Sequence, residues 1–283
     1  MPLIAPAEAG IHSIDEALPV LWRDEHLIAI YKPAAWLVHR TGLDAGETRF
    51  IVQTLRDQIG QHVYPLHRLD KGTCGVLLLA LHSEAASKTR ALFEAQQIGK
   101  RYLALVRGWA PDTCAVDHAL RPDDAPADTP AQPAQTRFAR LASLEHPEAY
   151  DPRFAATRVS LVLAEPLTGR RHQIRRHLKH IAHPIIGDAT HGKGPLNRWW
   201  AERLGLQRLW LHAWQMRLQH PYTGEALQLD SGVPWPSPST GLSEGGSNAC
   251  YHSSAAQWQQ LLRANWQWNA TAPNLAQPDI HRQ

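Results

Sequence analysis

Asp70 lies at the centre of the stretch His67-Arg-Leu-Asp-Lys-Gly-Thr-Cys-Gly75, which gathers a carboxylate, a guanidinium and two glycines ahead of the apolar run Val76 to Leu81. The run does not alternate, so it reads as a strand buried on both faces and fed by a tight, rigid turn. An opposite charge nearby favours a carboxylate in its ionised form, which suits Asp70 to be a nucleophile rather than a proton donor. Taken alone, the stretch is more simply a surface Arg/Asp pair in a loop. Two other segments shift that balance.

The first runs from Glu165 to His183. No acidic residue occurs between Glu165 and Asp188, while Arg170, Arg171, Arg175, Arg176 and Lys179 supply five fixed positive charges with four histidines among them. Thr168-Gly169 reads as a turn, and from His172 the positions Ile174, His177/Leu178 and Ile181 recur at helical spacing. The basic residues thus fall in the first turns of a helix, where outward-pointing N–H groups already suit a phosphate. Solvated helices usually mix both signs. The second segment, Gly99 to Gly108, reads as a strand with Tyr102, Ala104 and Val106 on one side and Leu103 and Leu105 on the other. Tyr102 is either a core aromatic with its hydroxyl at the rim or a ring able to stack on a base.

Together, His-Arg-Leu-Asp at 67–70, Lys-Arg-Tyr at 100–102 and Gly-Arg-Arg-His-Gln-Ile-Arg-Arg-His at 169–177 resemble the three signature segments of the RluA-type pseudouridine synthases, in the same order. Similar stretches at Asp24 to Val38, His183 to Asp188 and His220 to Glu225 extend the resemblance over roughly residues 20–233. It implies an α+β pseudouridine synthase fold, with a mainly antiparallel central sheet flanked by helices and an active-site cleft across it. It also implies a cofactor-free isomerisation of uridine to pseudouridine in structured RNA. Asp70 would act as nucleophile or base on a flipped-out uridine. Arg175 would pair with it, and Tyr102 would stack on the uracil and accept the departing proton. Ile174 would form the apolar wall, and Arg68 would fill the vacated space. His67, Arg170, Arg171, His172, Arg176 and Lys179 complete the RNA-binding set. Trp36 to Arg40, Gln53 to His62, Arg107-Gly-Trp109 and Gly205 to Leu209 resemble a branch acting on the uridine at tRNA position 65, with ribosomal RNA the alternative substrate. Where the family usually has Ser after the Thr of the aspartate turn, this chain has Cys74.

Rival readings carry less. A metal-dependent hydrolase could draw on His172, His177, His180, His183, His191 and His212, but their spacing matches no common zinc signature and four lie among cations. A non-catalytic RNA-binding module would need no carboxylate beside its cations. A Cys74 nucleophile lacks any histidine that the sequence pairs with it.

The net charge of +3 is modest, but its distribution is not even: Glu165 to Arg217 holds 10 Lys/Arg against 3 Asp/Glu, leaving 19 against 23 elsewhere. A basic patch of this kind fits a nucleic-acid partner. Three cysteines without a C-x-x-C pair point to a reducing, cytoplasmic setting, and no apolar run is long enough to span a membrane. The chain is expected to act as a monomer.

The elements that must position these residues follow from periodicity and breakers. Strands are expected at Leu27 to Tyr31, at 101–107, at Thr157 to Ala164 and at Leu209 to His220, the last turning through Pro221 to Gly224 into a hairpin with Ala226 to Asp230. Helices are expected at Thr48 to Ile59, stopped by Gly60, and at Ser83 to Gln97. Arg121 to Gln135, with four prolines and three aspartates, reads as a loop or a disordered segment, with a possible division between two lobes there. Residues 1–19 read as an N-terminal extension, 20–233 as the catalytic domain, and 234–283 as a Pro/Ser/Gly-rich linker followed by a tail. Trp258, Leu261, Leu262 and Trp266 at helical spacing suggest a short amphipathic helix in that tail.

Overall fold

The computed structural model describes residues 17–39, 48–126, 128–233, 236–237, 241–242 and 253–270. Most of the expected extension (1–19) and of the linker (234–248) lies outside the described residues. In chain order the elements are β1 (Val20–Arg23), β2 (Leu27–Lys32), α1 (Ile51–Ile59), β3 (Tyr64–Pro65), β4 (Cys74–Ala80), α2 (Ser83–Glu94), β5 (Gly99–Arg107), β6 (Thr113–Asp117) and β7 (Gln135–His146). They continue with β8 (Thr157–Pro166), α3 (Gln173–His180), α4 (Gly194–Leu204), β9 (Leu211–Gln219), β10 (Ala226–Asp230), a ribbon of β11 (Pro236–Ser237) and β12 (Gly241–Leu242), α5 (Ser253–Leu262) and β13 (Gln267–Trp268).

One 11-stranded sheet runs in the order β1-β2-β4-β9-β5-β8-β7-β13, with β10 on β9, β3 on β4 and β6 on β7. Every pairing in it is antiparallel except β4 with β9, which are parallel through Cys74–His212 and Gly75–Ala213. This is an α+β fold. The parallel seam requires Gly75: at φ 114°, a Cβ there would sit 2.1 Å from the Ala213 carbonyl oxygen.

The unbroken apolar runs of β2 and β4 are explained by cover on both faces. Ile28, Ile30, Leu77 and Leu79 pack with Ile51 and Leu55 of α1. Leu27, Ala29, Val76 and Leu78 face the other way, toward Ala85 and Ala86 of α2. Burying a Leu or Ile fully stabilises by about 2 kcal/mol, so Ile51 and Leu55 hold α1 despite its having no acid in the first turn and no side-chain cap. The third and largest core cluster lies beneath β5, β8 and β9, with Leu178 of α3, Trp200 of α4 and Trp258 of α5.

Several boundaries and elements differ from the sequence expectations. Helix α1 starts at Ile51, not Thr48, because Phe50 is extended and bridges Leu37. Helix α2 stops at Glu94 because Gln96 turns left-handed (φ 57°) into β5. Strand β7 was not expected: its register shifts between Arg140 and Ala142, which resets the alternation halfway. Helix α4 was also missed because Gly194-Pro195 reads as a breaker, although a proline is tolerated in a first helical turn. Residues 121–126 and 128–134 form a loop pinned by the Leu120–Gln132 bridge. Helix α5 buries Trp258, Leu261 and Leu262, and β13 extends the sheet edge on β7. Among the described residues, no helix is long and apolar enough to cross a membrane.

Candidate active site

A cleft of about 640 Å³ opens over the β4/β9 seam, lined by residues that include Asp70, Thr73, Tyr102, Ile174, Arg175 and Leu211. Asp70 projects from the turn before β4, Tyr102 from β5 opposite Ala213 of β9, and Ile174 and Arg175 from the first turn of α3. These side chains are brought together from positions more than 100 residues apart.

Arg175 organises the site. Its NH1 donates to Asp70 Oδ2 at 2.9 Å, while Nε and NH2 donate to the two oxygens of Asp188, each at 2.8 Å. Asp188 is 1% exposed, and its Oδ1 also accepts the amides of Thr190 and His191. Burial works against both charges, but each is outweighed: Asp188 and then Asp70 push Arg175 up, and Arg175 with those amides holds Asp188 below the usual carboxylate range. Gly187 makes the arrangement possible. At φ 80° a Cβ would lie 1.6 Å from the Arg208 carbonyl oxygen, so only glycine lets the chain reach Asp188 here.

Burial and the neighbouring charge of Asp70 both raise the Tyr102 pKa, so the ring enters the cleft as a neutral phenol. Ile174, 7% exposed, supplies an apolar surface beside it. Gln173 fixes the entrance: its Oε1 accepts from Thr168 Oγ1 and the Arg170 amide, and its Nε2 donates to the Gln135 carbonyl and Thr136 Oγ1. A carboxylate able to attack, a neutral ring able to stack, an apolar wall and a basic rim suit covalent chemistry on a planar heterocycle carried by a polyanion.

Residues 26–180 match the model of the RNA pseudouridylate synthase family. A tRNA pseudouridine synthase C of Yersinia pestis is 48% identical over 265 residues, covering 91% of this chain and 94% of that protein. The chain belongs to the RNA pseudouridylate synthase family. Its reaction is the isomerisation of uridine to pseudouridine. A Vibrio cholerae tRNA pseudouridine synthase C is 47% identical over 76% of this chain and 91% of its own length. Among solved structures, Human RNA Pseudouridylate Synthase Domain Containing 4 has a TM-score of 0.60 at 25% identity, over 86% of this chain and 92% of its own. The Yersinia match covers more than residues 1–233 could supply, so the family likeness continues into the segment after residue 233, beyond the 20–233 that the motifs mark.

In this pseudouridine synthase the remaining motif residues fall into distinct settings. Arg68 is exposed at the rim of the cleft. His67 is half-buried against Phe93, its Nε2 accepts the Leu78 amide, and burial, then Lys100, lowers its pKa to about 3. Arg170 donates to the Pro133 carbonyl, Arg171 NH1 pairs with Asp124 at 2.8 Å, and Arg176 NH1 lies 3.3 Å from Asp123. His172, in the left-handed conformation just before α3 (φ 54°), lies 2.7 Å from Asp123 through Nδ1 and 3.9 Å from Asp70 through Nε2. Lys179 is exposed. The run from 166 to 187 carries one sign in sequence, yet the 121–135 loop brings two carboxylates onto it.

The six histidines of the metal reading do not converge. His177 lies between Thr136 and the His118 carbonyl, His180 stacks on His118, His183 bonds the Arg107 carbonyl, and His212 contacts Cys74 and Ser231. Only His172 and His191 meet, beside Asp123. The sequence pairs no histidine with Cys74, but the fold does: His212 Nδ1 lies 3.3 Å from its sulfur. The partner comes from β9 through the parallel seam, 138 positions away, where no local spacing could reveal it.

Sequence reasoning missed Asp188, although it ends the His-Pro-Ile-Ile-Gly-Asp stretch, where a lone acid after a buried Ile-Ile-Gly is a usable signal. It also missed Lys32, fully buried beneath the Asp70 turn, where its Nζ donates to the carbonyls of Pro33, Lys71 and Thr73.

Proposed function

We propose that this chain converts a uridine of tRNA, the one at position 65, to pseudouridine, with Asp70 as the attacking carboxylate. The observation that carries the reading is the Asp70–Arg175–Asp188 constellation on the floor of a cleft with a basic rim. The names of the Yersinia and Vibrio relatives support tRNA as the substrate.

The target base is stacked, so it leaves the helix before reaction at a cost of a few kcal/mol. Arg68 takes the space it leaves and meets the backbone, with Arg170, Arg171, His172, Arg176 and Lys179 tracking neighbouring phosphates. His67 contributes a neutral wall. The uracil lies between Tyr102 and Ile174, which exclude water from the reacting centre. Asp70 attacks the nucleoside at C6 of the ring or C1′ of the ribose, the N1–C1′ bond breaks, the ring turns to form C5–C1′, and the bond from Asp70 to C6 or C1′ breaks to return the carboxylate. The C5 proton leaves and N1 ends protonated, so atoms balance without a cofactor. Tyr102 is a poor base while Asp70 is charged. Where Asp70 is joined to C6, it is still esterified when C5 loses its proton, so its charge is gone and the phenol oxygen is better placed to pass that proton on.

The test is tritium release from tRNA transcripts carrying [5-³H]uridine, with wild type, Asp70→Asn and a ribosomal RNA fragment in parallel. Release from tRNA that disappears in the variant supports the reading. Release from the ribosomal fragment alone moves the substrate, and release by Asp70→Asn removes Asp70 from the chemistry.

A further inference from the structure

Beneath the Asp70 turn lie two buried basic side chains, the Lys32 amine, which burial draws down to about 7, and the Arg208 guanidinium. The Lys32 ammonium is met by three carbonyls. Arg208, 9% exposed and just ahead of β9, donates from NH1 to Gln257 Oε1 (2.6 Å) and the Ser254 carbonyl (3.4 Å), and from NH2 to Cys74 Sγ at 2.8 Å. Among the described residues, no carboxylate is a hydrogen-bond partner of either cation; Asp70 and Asp188 are engaged by Arg175. A buried guanidinium without an anion is strongly disfavoured. Among the described residues, the one group bonded to Arg208 that can become an anion is the thiol of Cys74.

We propose that Cys74 is a buried thiolate whose ion pair with Arg208 ties helix α5 to the turn that carries Asp70, making Cys74 and Arg208 positioning residues for the reaction. The thiol proton leaves to solvent on folding, and Arg208 balances the charge that remains. Burial alone would raise the thiol, but Arg208 and His212, with hydrogen bonds from His212 and Tyr31, bring it down to about 5. The titratable and charged groups around the sulfur are Tyr31 and Lys32 of β2, Arg208, His212 of β9 and, farther along its own turn, Asp70. Cys74 is wholly buried and does not line the cleft, so it cannot meet RNA itself.

The ties converge on the segment that follows Asp70. Lys32 holds the carbonyls of Lys71 and Thr73, and Arg208 holds the next side chain, Cys74. Helix α5 supports both, because Gln257 and Ser254 anchor Arg208 while Ser254 Oγ accepts the Ala34 amide, two residues beyond Lys32. A serine at this position would not be ionised near neutral pH, so the device depends on the thiol. It assigns the C-terminal helix a part in catalysis at a distance.

The positioning half rests on Asp70 as the reacting carboxylate; the ionisation half does not. In a Cys114→Ser, Cys250→Ser variant Cys74 is the single thiol, and its S–H stretch can be followed by Raman spectroscopy across pH. The expected result is no S–H band at neutral pH and a band that grows in on acidification; a band at neutral pH overturns the thiolate. Single-turnover rates and RNA Kd are then measured for Cys74→Ser, Arg208→Gln, Arg208→Lys and the Cys74→Ser, Arg208→Gln double variant. Each of Cys74→Ser and Arg208→Gln is expected to slow the reaction roughly fivefold with little change in Kd, Arg208→Lys less, and the double variant by less than the product of the two. Independent effects, or a loss confined to Kd, overturn the positioning role. No pseudouridine from wild type on any RNA, with the S–H band behaving as expected, would sink the activity reading and leave the thiolate standing.

Discussion

Arg175 joins Asp188 by two parallel hydrogen bonds of 2.8 Å and turns its one remaining amino group, NH1, toward Asp70 at 2.9 Å. The buried acid therefore aims the guanidinium that meets Asp70, the carboxylate proposed to react. Replacing Asp188 by Asn removes an anion from a buried pair and leaves Arg175 free to rotate. Asp188→Asn is expected to lower stability by about 3 kcal/mol, from the cost of breaking such a pair. The single-turnover rate should fall at least tenfold, on the order of the loss seen when an orienting group is misplaced. Urea unfolding and rapid-quench pseudouridine formation measure the two; an unchanged rate would mean that Asp188 only supports the fold.

Lysine cannot reproduce this geometry. Its ammonium is a point charge, whereas Arg175 makes three directed bonds to two carboxylates. Arg175→Lys is expected to reduce the rate by roughly two orders of magnitude. RNA affinity should change little, because the side chain is buried against acids rather than offered to phosphate. A large rise in Kd would place Arg175 among the RNA ligands instead.

His67 gives the fold an acid sensitivity. Its folded-state pKa is about 3 against an ordinary 6.5, so below 6.5 the unfolded chain takes up a proton that the folded chain refuses. Its contribution to stability is complete above 6.5 and is lost as pH falls toward 3. His67→Gln removes the titration while leaving an acceptor for the Leu78 amide. The expected outcome is a shallower fall of Tm between pH 6.5 and 4 than in wild type, followed by calorimetry.

What the sequence made legible divides along chain distance. Strands β2, β4 and β9/β10 and the cleft-lining positions 70, 102 and 174–175 could be read because local periodicity and motif spacing carry them. The ion pairs that decide each charge could not. Asp188 closes on Arg175 around the end of α3, His212 reaches Cys74 through a parallel seam, and Asp123 and Asp124 come from a proline-rich loop with no periodicity to mark where it folds. Tryptophan shows the same limit. Trp109 is exposed with Arg158 over its ring, while Trp200, Trp210 and Trp258 are core, although Trp200 and Trp210 also stand near basic residues in the sequence.

The acidic loop leads to the last prediction. Asp124 pairs with Arg171, Asp123 with Arg176 and His172, and the Arg121 carbonyl accepts from Arg176, so carboxylates occupy part of the basic run beside the cleft. RNA that uses those cations must displace the carboxylates, and each freed carboxylate then gathers a salt cation, which offsets counterion release from the RNA. Neutralising the pair should therefore tighten binding and steepen its salt dependence. Asp123→Asn, Asp124→Asn is expected to lower Kd for tRNA several-fold and to increase the log Kd against log salt slope by about one, the change associated with one more phosphate neutralised. The matched control is Glu145→Gln, Glu148→Gln, which removes two acids paired with Arg158 and Arg203 away from the cleft. Fluorescence anisotropy over a salt series reads both. An equal change in the control would make the effect one of net charge, and weaker binding in the loop variant would mean that the acids hold the cations in place for RNA rather than compete with it.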